Sequence, residues 1–203
     1  MRKLIQNVGV CLVIVACFWF WDLLHNKEQL RRNLIRFHVV ANSDSEWDQS
    51  VKLQVRDAVI GSLQKELNAL GDMEAAKVYL TENLPKIQKI ANETLETLGV
   101  EQEAVVSLCR EAFRKREYET FSLPAGVYES LRIVIGEGQG HNWWCVVFPS
   151  LCLPATTEGF EEVAAGAGFS EDLQNTLAEE EGYEVRFFFL DALGSLENIF
   201  FEG

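Results

Sequence analysis

The side chains able to do chemistry are few: three histidines, five cysteines and a glycine-rich stretch at Gly136-Glu137-Gly138-Gln139-Gly140. His38, Asp44, His141 and Cys145 are the parts of a thiol hydrolase, in which an imidazole must sit within hydrogen-bond reach of the nucleophile. Nothing in their spacing compels them to converge. His38 stands among apolar residues, where a hydrogen-bonded structural histidine is the commoner arrangement. A metal site from His38, Asp44 and His141 lacks a close-spaced ligand pair. The three glycines look like a phosphate cradle. The dinucleotide fingerprint, however, places its third glycine three positions after the second and continues into a helix. Here the third comes after two and a strand follows, so a loop needing positive φ accounts for the segment. No catalytic, cofactor-binding or metal-ligating residue is assigned, and no cofactor is expected.

The elements that must position these residues are legible in outline. Leu34–Ala41 alternates as a strand, with Arg36 and His38 between apolar residues. Asn42-Ser43-Asp44-Ser45 breaks it. Ser43 with Glu46 fits a capping box, and Ser45 competes as the N-cap. The helix that follows carries Trp47, Val51, Val55, Val59, Leu63, Leu67 and Leu70 at helical spacing and closes at Gly71. Asp48 and Lys52 suit an i,i+4 pair. A second helical stretch runs from Asp72 to Gly99, divided by Pro85 with Asn83 as the cap of its later half. Val105–Cys109, Tyr128–Ile135 and Asn142–Phe148 read as strands, the last two as a hairpin about the glycine loop. Glu158–Glu181 reads as helix and connections, Glu184–Leu190 as a last strand, and Asp191–Phe201 as an amphipathic tail. The order predicts α+β: an antiparallel sheet of about four to six strands, covered on one face by two to three helices. Trp143 and Trp144 adjoin on a strand, so their rings point to opposite faces. One enters the core, and the other is either an interface anchor or covered by the tail.

Before the sheet comes a hydrophobic helix. Arg2 and Lys3 precede an apolar run, Val8–Trp21. A positive flank and an apolar core are the pattern of an export signal. Those 14 residues reach only about 21 Å as a helix, but Leu4–Leu24 would reach ~30 Å, a hydrocarbon thickness. No pair of small residues marks a cleavage site after Trp21, so a cleaved signal and a retained anchor both stay open. The domains expected are a signal peptide or membrane anchor over 1–32 and an extracytoplasmic α+β domain over 33–203. The second holds 13 basic and 29 acidic residues, a net charge of −16. It repels phosphates, which argues against nucleic acid as a partner and leaves the N-terminal segment as the membrane contact. Outside the cytoplasm, Cys145 and Cys152 either close a disulfide loop or remain two buried thiols.

Two segments resemble a known family. One is Ile35-Arg36-Phe37-His38-Val39-Val40-Ala41-Asn42-Ser43-Asp44-Ser45, continuing through Asp48-Gln49, Lys52 and Val55-Arg56-Asp57-Ala58-Val59. The other is Leu123-Pro124-Ala125-Gly126, then Leu131-Arg132-Ile133-Val134-Ile135 through the glycine loop to Asn142-Trp143-Trp144-Cys145 and on to Cys152. Together they are similar to the stage II sporulation protein R family. Arg114-Lys115-Arg116 and Ser150 depart from prolines of that pattern. The resemblance implies a protein made in the forespore and exported into the intermembrane space of the septum. There it would activate a membrane-embedded aspartic protease of the mother cell, which processes the sigma-E precursor. It implies no catalytic activity of its own, and no small-molecule ligand is expected. Contact residues for the protease are expected at Asn42, Asp44 and Asp48, in the loop around Gln139, His141 and Asn142, and at Trp144. The alternatives are a secreted hydrolase using the His/Cys/Asp set and an anchored binding module that does not signal.

Overall fold

A computed structural model describes residues 1–118, 120–149, 163–166, 168–178 and 183–202. The chain runs α1 (Arg2–Asn33), β1 (Ile35–Val40), α2 (Glu46–Asn68), α3 (Met73–Thr97), β2 (Ala104–Phe113), β3 (Arg116–Glu117), β4 (Ser122–Leu123), β5 (Gly126–Ile135) and β6 (Asn142–Phe148). Two further helices follow, α4 (Glu171–Leu177) and α5 (Glu184–Glu202). The fold is α+β with an N-terminal apolar helix.

The sheet has the order β2-β5-β1-β6 and is mixed. β1 is parallel to β5 and antiparallel to β6, while β2 is antiparallel to β5. This corrects the purely antiparallel sheet and the β5–β6 hairpin expected from sequence. β1 lies between β5 and β6, so the glycine loop joining them has to cross its C-terminal end. The short β3–β4 ribbon stands apart.

Helices cover both faces, not one. On the first face Ile35, Phe37, Val39, Leu131, Ile133, Cys145 and Val147 pack against Val51, Val55, Val59 and Leu63 of α2 and Leu80, Ile87 and Leu95 of α3. On the second, Phe113, Tyr128 and Val146 meet Leu30 of α1, Leu173 and Leu177 of α4 and Phe187 of α5. All six residues of β1 are buried, Arg36 and His38 included, and His38 is the hydrogen-bonded structural histidine expected from its apolar surroundings.

Two helix expectations are also corrected. α3 is continuous through Pro85. The missing N–H costs about 3 kcal/mol, which burial of Ile87, Ala91 and Leu95 beyond it against the sheet offsets. Asn83 is inside the helix and donates to the Tyr79 carbonyl. Glu184–Leu190 is the start of α5, not a strand, and the supposed tail is its continuation. The run Phe187–Leu190 is too short and too uniformly apolar for its period to discriminate. Phe187, Leu190 and Gly194, at helical spacing, are its buried positions.

Ile5–Asn33 of α1 is long and apolar enough to cross a membrane. Its last three turns belong to the folded body. Leu23 and Leu30 are 1% and 0% exposed. Asp22 pairs with Arg186, and Lys27 with Glu197, at 2.7 and 3.0 Å.

Candidate functional site

The crossing of β1 by the glycine loop brings two of the expected contact segments to one apex. Ser45 is the N-cap of α2, accepting from the Asp48 N–H, so Ser45 and not Ser43 caps the helix. Ser43 instead donates its hydroxyl to the Asp48 carboxylate, as does the Asn42 amide at 3.0 Å. Asn42 Oδ1 accepts from the Glu137 N–H at 3.1 Å, and the Gln139 and Gly140 N–H groups donate to the Asn42 and Ala41 carbonyls. Asp44 accepts from the His141 N–H at 2.6 Å and meets its ring at Nδ1. Gly136 and Gly138 take positive φ, +57° and +63°, as the loop reading required.

Lys52 is buried and donates to Gln49 and to the His141 carbonyl, which replaces the expected Asp48–Lys52 pair. Burial pushes its ammonium pKa down, Arg56 adding to this and Asp44 opposing it. Asp48 is held below the usual carboxylate range by hydrogen bonds from Ser43 and Asn42. Asp44 is lowered by the His141 backbone and ring.

The seven expected contact residues therefore divide. Asn42 and Asp48 build the apex. Asp44, Gln139 and His141 are at its surface, with the Asp44 and His141 side chains 53% and 82% exposed. Asn142 is half-buried at the start of β6. Trp144 is elsewhere, on the second face of the sheet. Trp47, placed on the apolar face of α2 by spacing, is instead 56% exposed beside the apex. Its position in the first turn, before the helix reaches the sheet, was the available signal.

Trp144 belongs to a polar layer under α5. The imidazole of His38 stacks on it at 4.7 Å with the planes 1° apart. His38 Nε2 meets Glu111 at 2.8 Å, and Arg132 reaches the same carboxylate at 3.4 Å. Burial pushes the Glu111 carboxyl pKa up. The hydrogen bond from His38 and the charges of His38 and Arg132 outweigh it, leaving a net depression. A depressed carboxylate adds stability above its unfolded pKa that is lost as pH falls through the folded value. Glu111→Gln is expected to flatten the fall in thermal midpoint between about pH 6 and about pH 3. An unchanged slope in a calorimetric pH series would assign the acid sensitivity to other groups.

The hydrolase set does not assemble. Cys145 faces the α2–α3 layer and His38 the opposite one. His141 is four residues before Cys145 along β6, a separation of about 13 Å. Among the described residues no group of three or more His, Cys, Asp or Glu is placed to hold a metal. Trp143 packs edge-on to Phe37, with Arg56 over its ring, so the two tryptophans do take opposite faces. The free cysteines among the described residues are Cys11, Cys17 and Cys109. Cys145 is buried, and Cys152 lies outside the described residues.

The sequence profile described as stage II sporulation protein R matches residues 31–158. That span runs from the end of α1 through the sheet and includes the apex. The stage II sporulation protein R of Bacillus subtilis (strain 168) is 33% identical in an alignment 181 positions long that covers 80% of this chain and 80% of that protein. No solved structure matches. With its sheet, its glycine loop and the strand-to-helix turn beneath it all inside the matched span, the chain belongs to the stage II sporulation protein R family.

Proposed function

We propose that this chain is an exported sporulation signal that activates a membrane-embedded aspartic protease, so that the sigma-E precursor is processed in the mother cell. Family membership is the observation that carries the reading. The apolar α1, with Arg2 and Lys3 at its start, supports export with the N-terminus left in the cytoplasm. The domain from residue 33 onward would then act in the septal intermembrane space, whether α1 is cleaved or kept as an anchor. It is a ligand and not an enzyme. A ligand activates a receptor by binding its active state more tightly than its inactive one. The apex, with Asp44, Gln139, His141 and Trp47 at its surface, is the contact surface we assign.

The test is co-expression of the full chain, the protease and the sigma-factor precursor in a non-sporulating host. Mature sigma factor is expected only when all three are present. Processing at the same rate without this chain, or none with all three correctly inserted, would overturn the reading.

Export also supports a Cys145–Cys152 disulfide. Closing a loop of this size is worth about 2–3 kcal/mol in the chain-entropy model. Non-reducing peptide mapping of the exported protein is expected to recover the two cysteines in one linked pair of peptides. Quantitative alkylation of both in denaturant without reductant would refute the bridge.

A further inference from the structure

We propose that the recess between the β2–β3 turn and α5 binds an acidic peptide segment of a partner protein. The recess encloses about 730 Å³, with Phe113 and Trp144 in its wall and Arg114, Lys115 and Arg116 along one side. A run of cations is ordinarily a solvated surface. Two features set this one apart.

The first is where the cations lie. The Arg116 guanidinium is over the Trp144 ring at 4.7 Å and Lys115 Nζ is over the Phe187 ring at 4.6 Å. Arg114 is exposed and has no hydrogen bond or ion pair with a described residue. Lys115 also pairs with Glu117 at 3.1 Å, so Arg114 and Arg116 carry the positive charge of this patch on a domain whose net charge is −16. The acid in the recess lining, Asp191, is engaged, accepting from the Ala125 N–H at 2.7 Å.

The second is Arg36, directly behind Phe113. Its side chain is 0% exposed, with Cζ 4.3 Å from the Phe113 centroid and 5.4 Å from that of Tyr128. Its hydrogen bond is to the Tyr118 hydroxyl at 3.3 Å, and among the described residues Nε and Nη1 have no partner. Burial pushes the Tyr128 hydroxyl pKa well up, so that ring stays neutral and supplies no counter-charge. A buried guanidinium that meets no carboxylate among the described residues is costly. An anion held in the recess, across the Phe113 ring, would offset part of that cost.

The size and lining favour a peptide over a lone ion. The volume is that of a site for a multi-atom ligand. The aromatic wall accepts apolar side chains between the acids. β2 is an edge strand of the sheet, but its Phe113 carbonyl at the recess accepts from Asn198, so a peptide would be held through side chains and not by adding a strand. This binding goes beyond signalling through the apex and is measured without the protease, so either can fail alone.

The test uses the full chain in phosphatidylcholine nanodiscs and a fluorescein-labelled peptide of glutamates interrupted by leucines. Saturable binding that weakens with added salt is expected, with quenching of the Trp144 emission that disappears in Trp144→Phe. Arg114→Glu with Arg116→Glu should weaken binding by about tenfold or more at an unchanged thermal midpoint. Arg114→Lys alone should stay within roughly threefold, because Lys keeps the charge at an exposed position that stacks on no described ring. Equal binding by the charge-reversed protein, equal binding of a lysine-for-glutamate peptide, or binding of phosphatidylglycerol vesicles through these residues with no peptide binding would overturn the proposal.

Discussion

Leu30→Ala should cost about 2–5 kcal/mol, as truncation of a closed-packed leucine does, and lower the thermal midpoint by on the order of 10 °C for a domain of this size. Leu30 is fully buried, in the cluster that joins α1 to Phe113, Tyr128 and Phe187. The same helix a few turns earlier is a candidate membrane span, so one continuous helix serves two solvents. Trp19 touches Phe189 edge-on with centroids 4.9 Å apart, and Lys27 donates to the Leu193 carbonyl. The consequence reaches processing. A chain beginning at Asp22 keeps Leu23 and Leu30 and should fold. A chain beginning at Leu34 loses both, and exposes apolar surface on α5 and the sheet. Circular dichroism melts of the two truncations decide the matter, and equal midpoints would show that α1 adds nothing to the fold. If the difference is found, a cut that leaves a folded soluble product must fall before Asp22.

How far the sequence determined this arrangement depended on whether local pattern and burial agreed. β1, α2 and the strand content of β2, β5 and β6 were legible because their apolar residues keep the period of their element. Arg36 and His38 broke the rule that polar alternation marks a wet face. Aromatic contacts at Phe113 and Trp144 and the Glu111 carboxylate take the place of water, and no local signal announces partners that are 73 or more residues away. The parallel pairing of β1 with β5 was hidden for the same reason, since the glycine loop looks identical whether it turns a hairpin or steps over a third strand. Pro85 and the α5 run misled in the opposite direction: local propensity spoke clearly, and tertiary packing overrode it. The apex residues were readable as turn chemistry. Their convergence followed only from the strand order.

Gly140→Ala should separate the two halves of that apex and reduce sigma-factor processing in the co-expression assay by roughly tenfold or more, about 1.4 kcal/mol of lost activation per factor of ten. A Cβ at residue 140 would overlap the carbonyl oxygen of Ser43 and crowd the Ala41 side chain. Backbone does not swing aside as a long side chain would. The Ser43 peptide is also pinned, its carbonyl accepting from Gln49 and its hydroxyl donating to Asp48. The loop must therefore move, taking with it the Gly140 bond to Ala41 and the His141 bond to Asp44. Overpacking of this kind costs about 1–3 kcal/mol, a loss the two packed faces of the sheet can sustain, so the domain should remain folded. Trp47→Ala complements it by removing an exposed ring that takes part in none of these hydrogen bonds. Central tryptophans of interfaces are commonly worth about 2 kcal/mol or more, so its loss should depress processing as strongly while the thermal midpoint stays put. Charge reversal at Asp44 or Asp48 does not isolate the contact in the same assay, because Asp44 holds the His141 N–H and Asp48 holds the turn itself. If Gly140→Ala and Trp47→Ala both process the precursor like the parent chain, the protease is engaged through another face of the molecule.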